Sequence, residues 1–142
     1  RQAFRRCTTY NDEVDHICTD RRSAVTVFAV MLGGALGAAL RYGISQAMNP
    51  TIGSGMPWGT LTANVVGCLL IGWLSTTLTD ASEAVRLGVL VGVLGGFTTF
   101  SSFGLETIRL LQAGDSITAG AYLLLSNLAG LAAVWIGLKI AS

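Results

Sequence analysis

"GGFTTFSSFG", Gly95 to Gly104, places a glycine pair, four hydroxyls and three phenylalanines inside an apolar run that reaches from Val85 to Gln112. A straight helix over that run would be some 42 Å long at about 1.5 Å per residue, against a hydrocarbon core of roughly 30 Å. Gly95 and Gly96 each cost a helix up to about 1 kcal/mol relative to Ala, and Thr98 and Thr99 add the lost rotamer freedom of β-branched side chains. A helix break at the glycine pair is the expected outcome. Backbone groups freed at membrane depth are tolerated only when buried in protein or lining a polar cavity. Carbonyls there suit a hard cation, and the hydroxyls of Thr98, Thr99, Ser101 and Ser102 can donate to an anion or accept from water. The stretch reads as built to hold ions.

The rest of the chain has the composition of a membrane protein. Of 142 residues, 51% are hydrophobic and only 12% charged, about half the charged share of a soluble domain, roughly 25%. Mean hydropathy is +0.60. Besides Val85 to Gln112, three stretches are long enough to cross a bilayer as helices: Val25 to Met48, Trp58 to Thr79 and Ile117 to Ile140. The fold expected is therefore an all-α membrane protein of four transmembrane helices, running up and down, with the third broken near Gly95–Ser102. The gaps "NPTIGSGMP", "DASEA" and "AGDS" carry the prolines, glycines and polar residues of short connections.

Residues 1–24 differ in kind, with mixed charge, no apolar period and no cleavage-type signal pattern. They are expected to form a polar cytoplasmic tail, flexible or artificially appended, ahead of a four-helix transmembrane channel domain at 25–142. Cys7, His16 and Cys18 fall one short of the four ligands of a structural zinc site. Five of the nine basic residues lie in this tail; beyond it Arg41, Arg86, Arg109 and Lys139 sit near span ends on alternating sides. With the tail set aside, the bias that orients membrane proteins nearly cancels, which allows an antiparallel homodimer. Four spans cannot enclose a wide aqueous passage, so a conducting path belongs at an interface or in a narrow seam. Gly33 and Gly37, Gly88 and Gly92, and Gly92 and Gly96 have the spacing that lets helices approach closely.

Several polar and aromatic residues stand at membrane depth. Asn64 must find partners in an apolar helix. Glu106 is an intramembrane acid with Arg109 one turn away as a local partner. Tyr122 and Ser126 share a face of the fourth span, and Phe100 and Phe103 share one beyond the break. An anion can approach the positive edge of an aromatic ring, where the face would repel it.

These residues in this order resemble the Fluc/CrcB fluoride channels. The similarity runs through all four spans: "GGALGAALRYG" in the first, "GTLTANVVG" in the second, and "GGFTTFSSF" almost letter for letter in the third. Gly104, where a small hydroxyl residue is common, and the N-terminal tail depart from the pattern. The resemblance implies an antiparallel dual-topology homodimer with two fluoride pathways along its interface, passive fluoride export, and a structural sodium ion at its centre. By position, backbone carbonyls of Gly95 and Thr98 would hold the sodium, and Phe100 and Phe103 would turn ring edges toward fluoride. Asn64, Thr99, Ser101, Ser102, Tyr122 and Ser126 would line the pathway, with Arg41 at the vestibule and Glu106 linked to conduction or gating. It also implies a bacterial inner membrane, no organic cofactor and no nucleic-acid partner.

Two other membrane functions fit less well. A proton-coupled small multidrug exporter needs a carboxylate deep in the first span, and "VTVFAVMLGGALGAAL" has none. A non-conducting assembly subunit leaves Asn64 and the hydroxyls unexplained. An enzyme is not expected, because the single histidine lies in the tail and the spans offer no nucleophile with a base and an orienting acid.

Overall fold

The computed structural model describes residues 8–48 and 55–142, with side chains from residue 21 onward. Cys7, most of "NPTIGSGMP", and the side chains of His16 and Cys18 lie outside those residues. The regular structure described is helical: α1 (Thr8–Met48), α2 (Trp58–Thr77), a third crossing in several pieces, and α6 (Ser116–Ile140). The four stretches Arg21–Met48, Trp58–Thr77, Glu83–Gln112 and Ser116–Ile140 are long and apolar enough to cross a membrane, each within a few residues of its sequence-based boundary. α1 begins well before the first apolar span. Its 41 residues amount to about 60 Å of helix, so residues 8–24 continue the first span rather than hang from it.

Glycine sets how the helices meet. Along α1 and the first half of the third crossing, a Cβ added at Gly33 would run into the Gly88 carbonyl oxygen, and one at Gly37 into that of Val93. Cβ atoms at Gly92 and Gly96 would lie 2.8 Å from the Val30 carbonyl and 2.6 Å from that of Gly34. α2 and α6 repeat the device, with Gly72 against the Val134 carbonyl and Gly137 against that of Leu69. Both pairs run parallel, as alternate spans of an up-and-down chain must. Lipid tails are as apolar as leucine, so association in a membrane rests on close packing and polar contacts. Bare backbone on one helix lets the other come near enough to supply both.

The third crossing comprises α3 (Glu83–Leu87), a π-helical segment Gly88–Leu94, α4 (Gly95–Phe97) and α5 (Phe100–Gln112). It breaks at Thr98 (φ −83°, ψ 154°) and Thr99 (φ −151°, ψ 120°), both extended. The break falls within the expected stretch Gly95–Ser102, at the threonine pair rather than at the glycine pair three residues earlier, through which the chain stays helical. Gly96 is held in the α1 seam by its contact with Gly34, which supports the helix there, while β-branched threonines suit extended backbone. Beyond α5, Gly114 (φ +80°) reverses the chain. Asp115 then caps α6 by accepting from the Thr118 amide at 3.1 Å, and that hydrogen bonding holds its carboxyl below the usual carboxylate range.

Candidate functional site

At the break the exposed helix ends are met largely from within the motif. Thr98 directs both its amide, at 2.9 Å, and its hydroxyl, at 3.0 Å, onto the Leu94 carbonyl. Gly67 on α2 makes room for this residue, because a Cβ there would collide with the Thr98 methyl. Thr99 caps α5, its hydroxyl accepting from the Ser102 amide at 3.3 Å. That hydroxyl also lies 3.2 Å from those of Ser101 and Ser102. Two of the four hydroxyls read as ion ligands thus serve the helix ends.

An extended residue presents its N–H and C=O on the same edge, the pattern by which paired strands exchange two hydrogen bonds. Asn64 occupies that edge of Thr99. Its Oδ1 accepts from the Thr99 amide at 2.8 Å and its Nδ2 donates to the Thr99 carbonyl at 3.1 Å. A side-chain carboxamide here replaces a peptide group of a neighbouring strand, so the interruption is tied to α2 at both of its polar atoms. The Thr98 carbonyl, outside the helices, accepts from no described backbone group.

A cavity of about 310 Å³ adjoins the break, with Asn64, Gly95, Thr98, Thr99, Phe100, Phe103 and Ser126 on its wall. The two phenylalanine rings lie with centroids 5.6 Å apart and planes at 49°. They share a face, as their spacing requires, but not an environment: Phe100 is 82% exposed and Phe103 only 7%. Phe103 packs in turn on Tyr122, with centroids 5.2 Å apart, and on Leu61. The Ser126 hydroxyl oxygen is buried without a hydrogen-bond partner.

Behind Phe103 a second polar cluster spans three helices. Glu106 of α5 accepts from the Thr60 hydroxyl of α2 at 2.8 Å and from the Tyr122 hydroxyl of α6 at 2.7 Å. The structure therefore replaces the local Arg109 pairing with hydroxyls from two other helices. Arg109 is exposed, whereas the carboxylate turns inward between α2 and α6. Thr60 was missed in the sequence although it stands one turn before Asn64 on the same helix face. Arg41 reaches back from α1 to the Gly96 carbonyl, Nε to O 3.4 Å, placing a cation at the end of the first half-helix, where a helix favours one. Of the residues picked out by the sequence, Asn64, Gly95, Thr98, Thr99, Phe100, Phe103 and Ser126 gather at the cavity. Ser101, Ser102, Tyr122, Glu106 and Arg41 lie around it.

The arrangement can present an amide donor, hydroxyls and ring edges to an anion, and carbonyl oxygens to a hard cation. Comparison with known proteins gives it a context. Residues 28–138 match the model of the family described as "CrcB-like protein, Camphor Resistance (CrcB)". The chain is 45% identical over 116 residues to the "Fluoride-specific ion channel FluC" of Hyphomonas neptunium, covering 79% of this chain and 91% of that one. It is 44% identical over 120 residues to the protein of the same description in Geobacter metallireducens, covering 82% and 97%. With that of Chloroflexus aurantiacus it shares 45% over 117 residues, covering 80% and 93%.

Proposed function

The chain belongs to the CrcB-like family, and from that premise we propose that it is a fluoride-specific ion channel. It is a multi-pass integral membrane protein and not an enzyme; in the inner membrane of a bacterium it lets fluoride leave the cell passively and so lowers cytoplasmic fluoride. The similarity to fluoride channels, which takes in residues 28–138 and with them nearly all of the four spans, carries this reading.

The chemistry of the cavity supports it. Fluoride is small and strongly hydrated, so stripping its water in a low-dielectric seam is costly unless donors replace the shell. Hydrogen bonds with a charged partner are worth about 1.5 to 3 kcal/mol each, so several weak donors in series are needed. Asn64 has a second amide hydrogen beyond the one given to Thr99, and the Ser126 hydroxyl has no partner. The edges of Phe100 and Phe103, the hydroxyls of Thr99, Ser101 and Ser102, and Tyr122 extend the path, with Arg41 and Glu106 at its vestibule or gate. No lysine or arginine lines the cavity, which suits conduction, because a site that binds too tightly does not release.

The functional unit in this proposal is an antiparallel homodimer with two such paths. The 82% exposure of Phe100 beside the cavity supports it, since a second copy would complete the wall. The carbonyls of Gly95 and Thr98, at the break, fit a structural sodium ion at the dimer centre, which would tie the two copies together through oxygen ligands.

Two measurements test this. In liposomes the protein passes fluoride and not chloride, and Phe100→Ile or Phe103→Ile lowers fluoride efflux by roughly tenfold, the factor that about 1.4 kcal/mol represents, while the dimer persists; undiminished efflux removes the rings from the pathway. Replacing sodium by a large organic cation slows efflux or shifts the protein toward monomer, and indifference of both would count against the central cation.

A further inference from the structure

At the opposite end of the first span, Arg21–Met48, from Arg41, the structure forms a groove apart from the cavity at the break. Arg21 and Arg22 precede the apolar run of the first span by one turn, and both are exposed. Because α1 runs parallel to the first half of the third crossing, with Ala29 beside Gly88, the start of that crossing lies against them. A cavity of about 520 Å³ opens there, with Arg21, Arg22 and Thr26 on one wall and Ser82 and Glu83 on the other. A second, of about 500 Å³, shares Arg22, Thr26 and Glu83. None of Arg21, Arg22 and Glu83 makes an ion pair or hydrogen bond with a described residue. Two guanidinium groups unpaired among the described residues thus face one carboxylate, likewise unpaired among them, across a space at the membrane boundary.

From this groove an apolar stripe descends toward the hydrocarbon. Val25, Phe28 and Leu32 succeed one another on one face of α1 and are 56%, 61% and 58% exposed. Guanidinium groups bind phosphate oxygens in paired, charge-assisted hydrogen bonds. A carboxylate beside them repels a second anionic group and attracts an ammonium. We propose that the groove binds one phospholipid whose headgroup carries a phosphodiester and a primary amine, the phosphatidylethanolamine class, with the phosphate on Arg21 and Arg22, the ammonium on Glu83, and an acyl chain along Val25, Phe28 and Leu32. Choline headgroups match the charges but have no N–H to donate to Glu83, and glycerol headgroups bring no cation. The proposal depends on the chain lying in a membrane and not on which ion it conducts.

The test is native mass spectrometry of the full chain, purified from an equimolar mixture of phosphatidylethanolamine, phosphatidylcholine and phosphatidylglycerol. The expected result is retention of the ethanolamine lipid over both others by about two- to fivefold, the factor an interfacial ion pair supplies. The double variant Arg21→Gln, Arg22→Gln loses bound lipid of all three kinds, and Glu83→Gln keeps lipid but loses the preference of ethanolamine over glycerol. These side chains are exposed, so the variants fold, and unchanged melting verifies it. Equal retention of the three lipids, or an ethanolamine preference that survives Glu83→Gln, would overturn the proposal. Displacement of the lipid by millimolar soluble glycerophosphoethanolamine would also overturn it, because it would make the groove a site for a free phosphodiester rather than for a membrane lipid.

Discussion

Gly37→Ala leaves little folded protein in the membrane. The added methyl meets backbone, not side chain: it runs into the Val93 carbonyl oxygen and lies 2.8 Å from the Phe97 amide nitrogen and 2.9 Å from the Val93 carbonyl carbon. A crowding side chain can change rotamer, but a crowding backbone moves only with its helix. The first half of the third crossing must then shift away from α1, loosening the contacts of Gly33, Gly92 and Gly96 together. Overpacking a tight interior costs about 1 to 3 kcal/mol and sometimes more, and backbone-on-backbone contact belongs at the upper end. Gly43→Ala is the control. Nothing lies within 4 Å of a Cβ at Gly43, and alanine is a better helix former by up to about 1 kcal/mol, so this variant should match or exceed the parent in thermal stability. The monodisperse fraction in detergent and the melting temperature of both variants check the contrast; a Gly37→Ala protein as stable as Gly43→Ala would disprove the seam.

Asn64→Leu sharply lowers fluoride efflux while nearly preserving the size and shape of the side chain. The two hydrogen bonds between Asn64 and Thr99 satisfy the amide and carbonyl of an extended residue at mid-membrane, where water is not freely available to replace them. Each backbone group left unpaired costs about 1 to 3 kcal/mol, so the pair costs roughly 2 to 6. Either the break refolds into helix and the cavity wall is lost, or the protein destabilises; efflux falls about thirtyfold or more, the factor that about 2 kcal/mol represents. Asn64→Asp separates the two contributions. Its carboxylate still accepts from the Thr99 amide, so thermal stability recovers in part, while efflux stays low because a fixed negative charge faces the anion's path. Flux measured beside melting temperature distinguishes them, and an Asn64→Leu protein that conducts as the parent does would remove the clamp from the account.

Much of this organisation was legible in the sequence because membrane physics writes it in run length and residue size. Apolar runs gave the four spans, and glycines four apart along α1 and the third crossing gave the seam. The existence of the break was legible too, from a crossing too long to be straight. Its place within Gly95–Ser102 was not: propensity pointed to Gly95 and Gly96, but propensity does not include Gly34 on another helix, whose contact with Gly96 belongs to the fold. The partner of Asn64 was hidden for a related reason, since it is the main chain of Thr99 and not a side chain. Glu106 was recognised as unusual and assigned the wrong neighbour. Arg109 is close in sequence, whereas Thr60 and Tyr122 arrive only when α2 and α6 close around α5.

The π-wound stretch Gly88–Leu94 gives the third crossing slack in its length. Its hydrogen bonds close over one residue more than those of an ordinary helix. Dropping a residue there would let the winding relax to the α form. Since seven steps of roughly 80° nearly equal six of about 100°, everything downstream would keep its bearing on the axis to within a few tens of degrees. Gly96 would stay opposite Gly34, and the threonine pair would keep its neighbours. Along this half of the crossing, a one-codon deletion would therefore be absorbed as a change of pitch, where the same deletion in an α-wound stretch would turn the rest of the helix by about 100°.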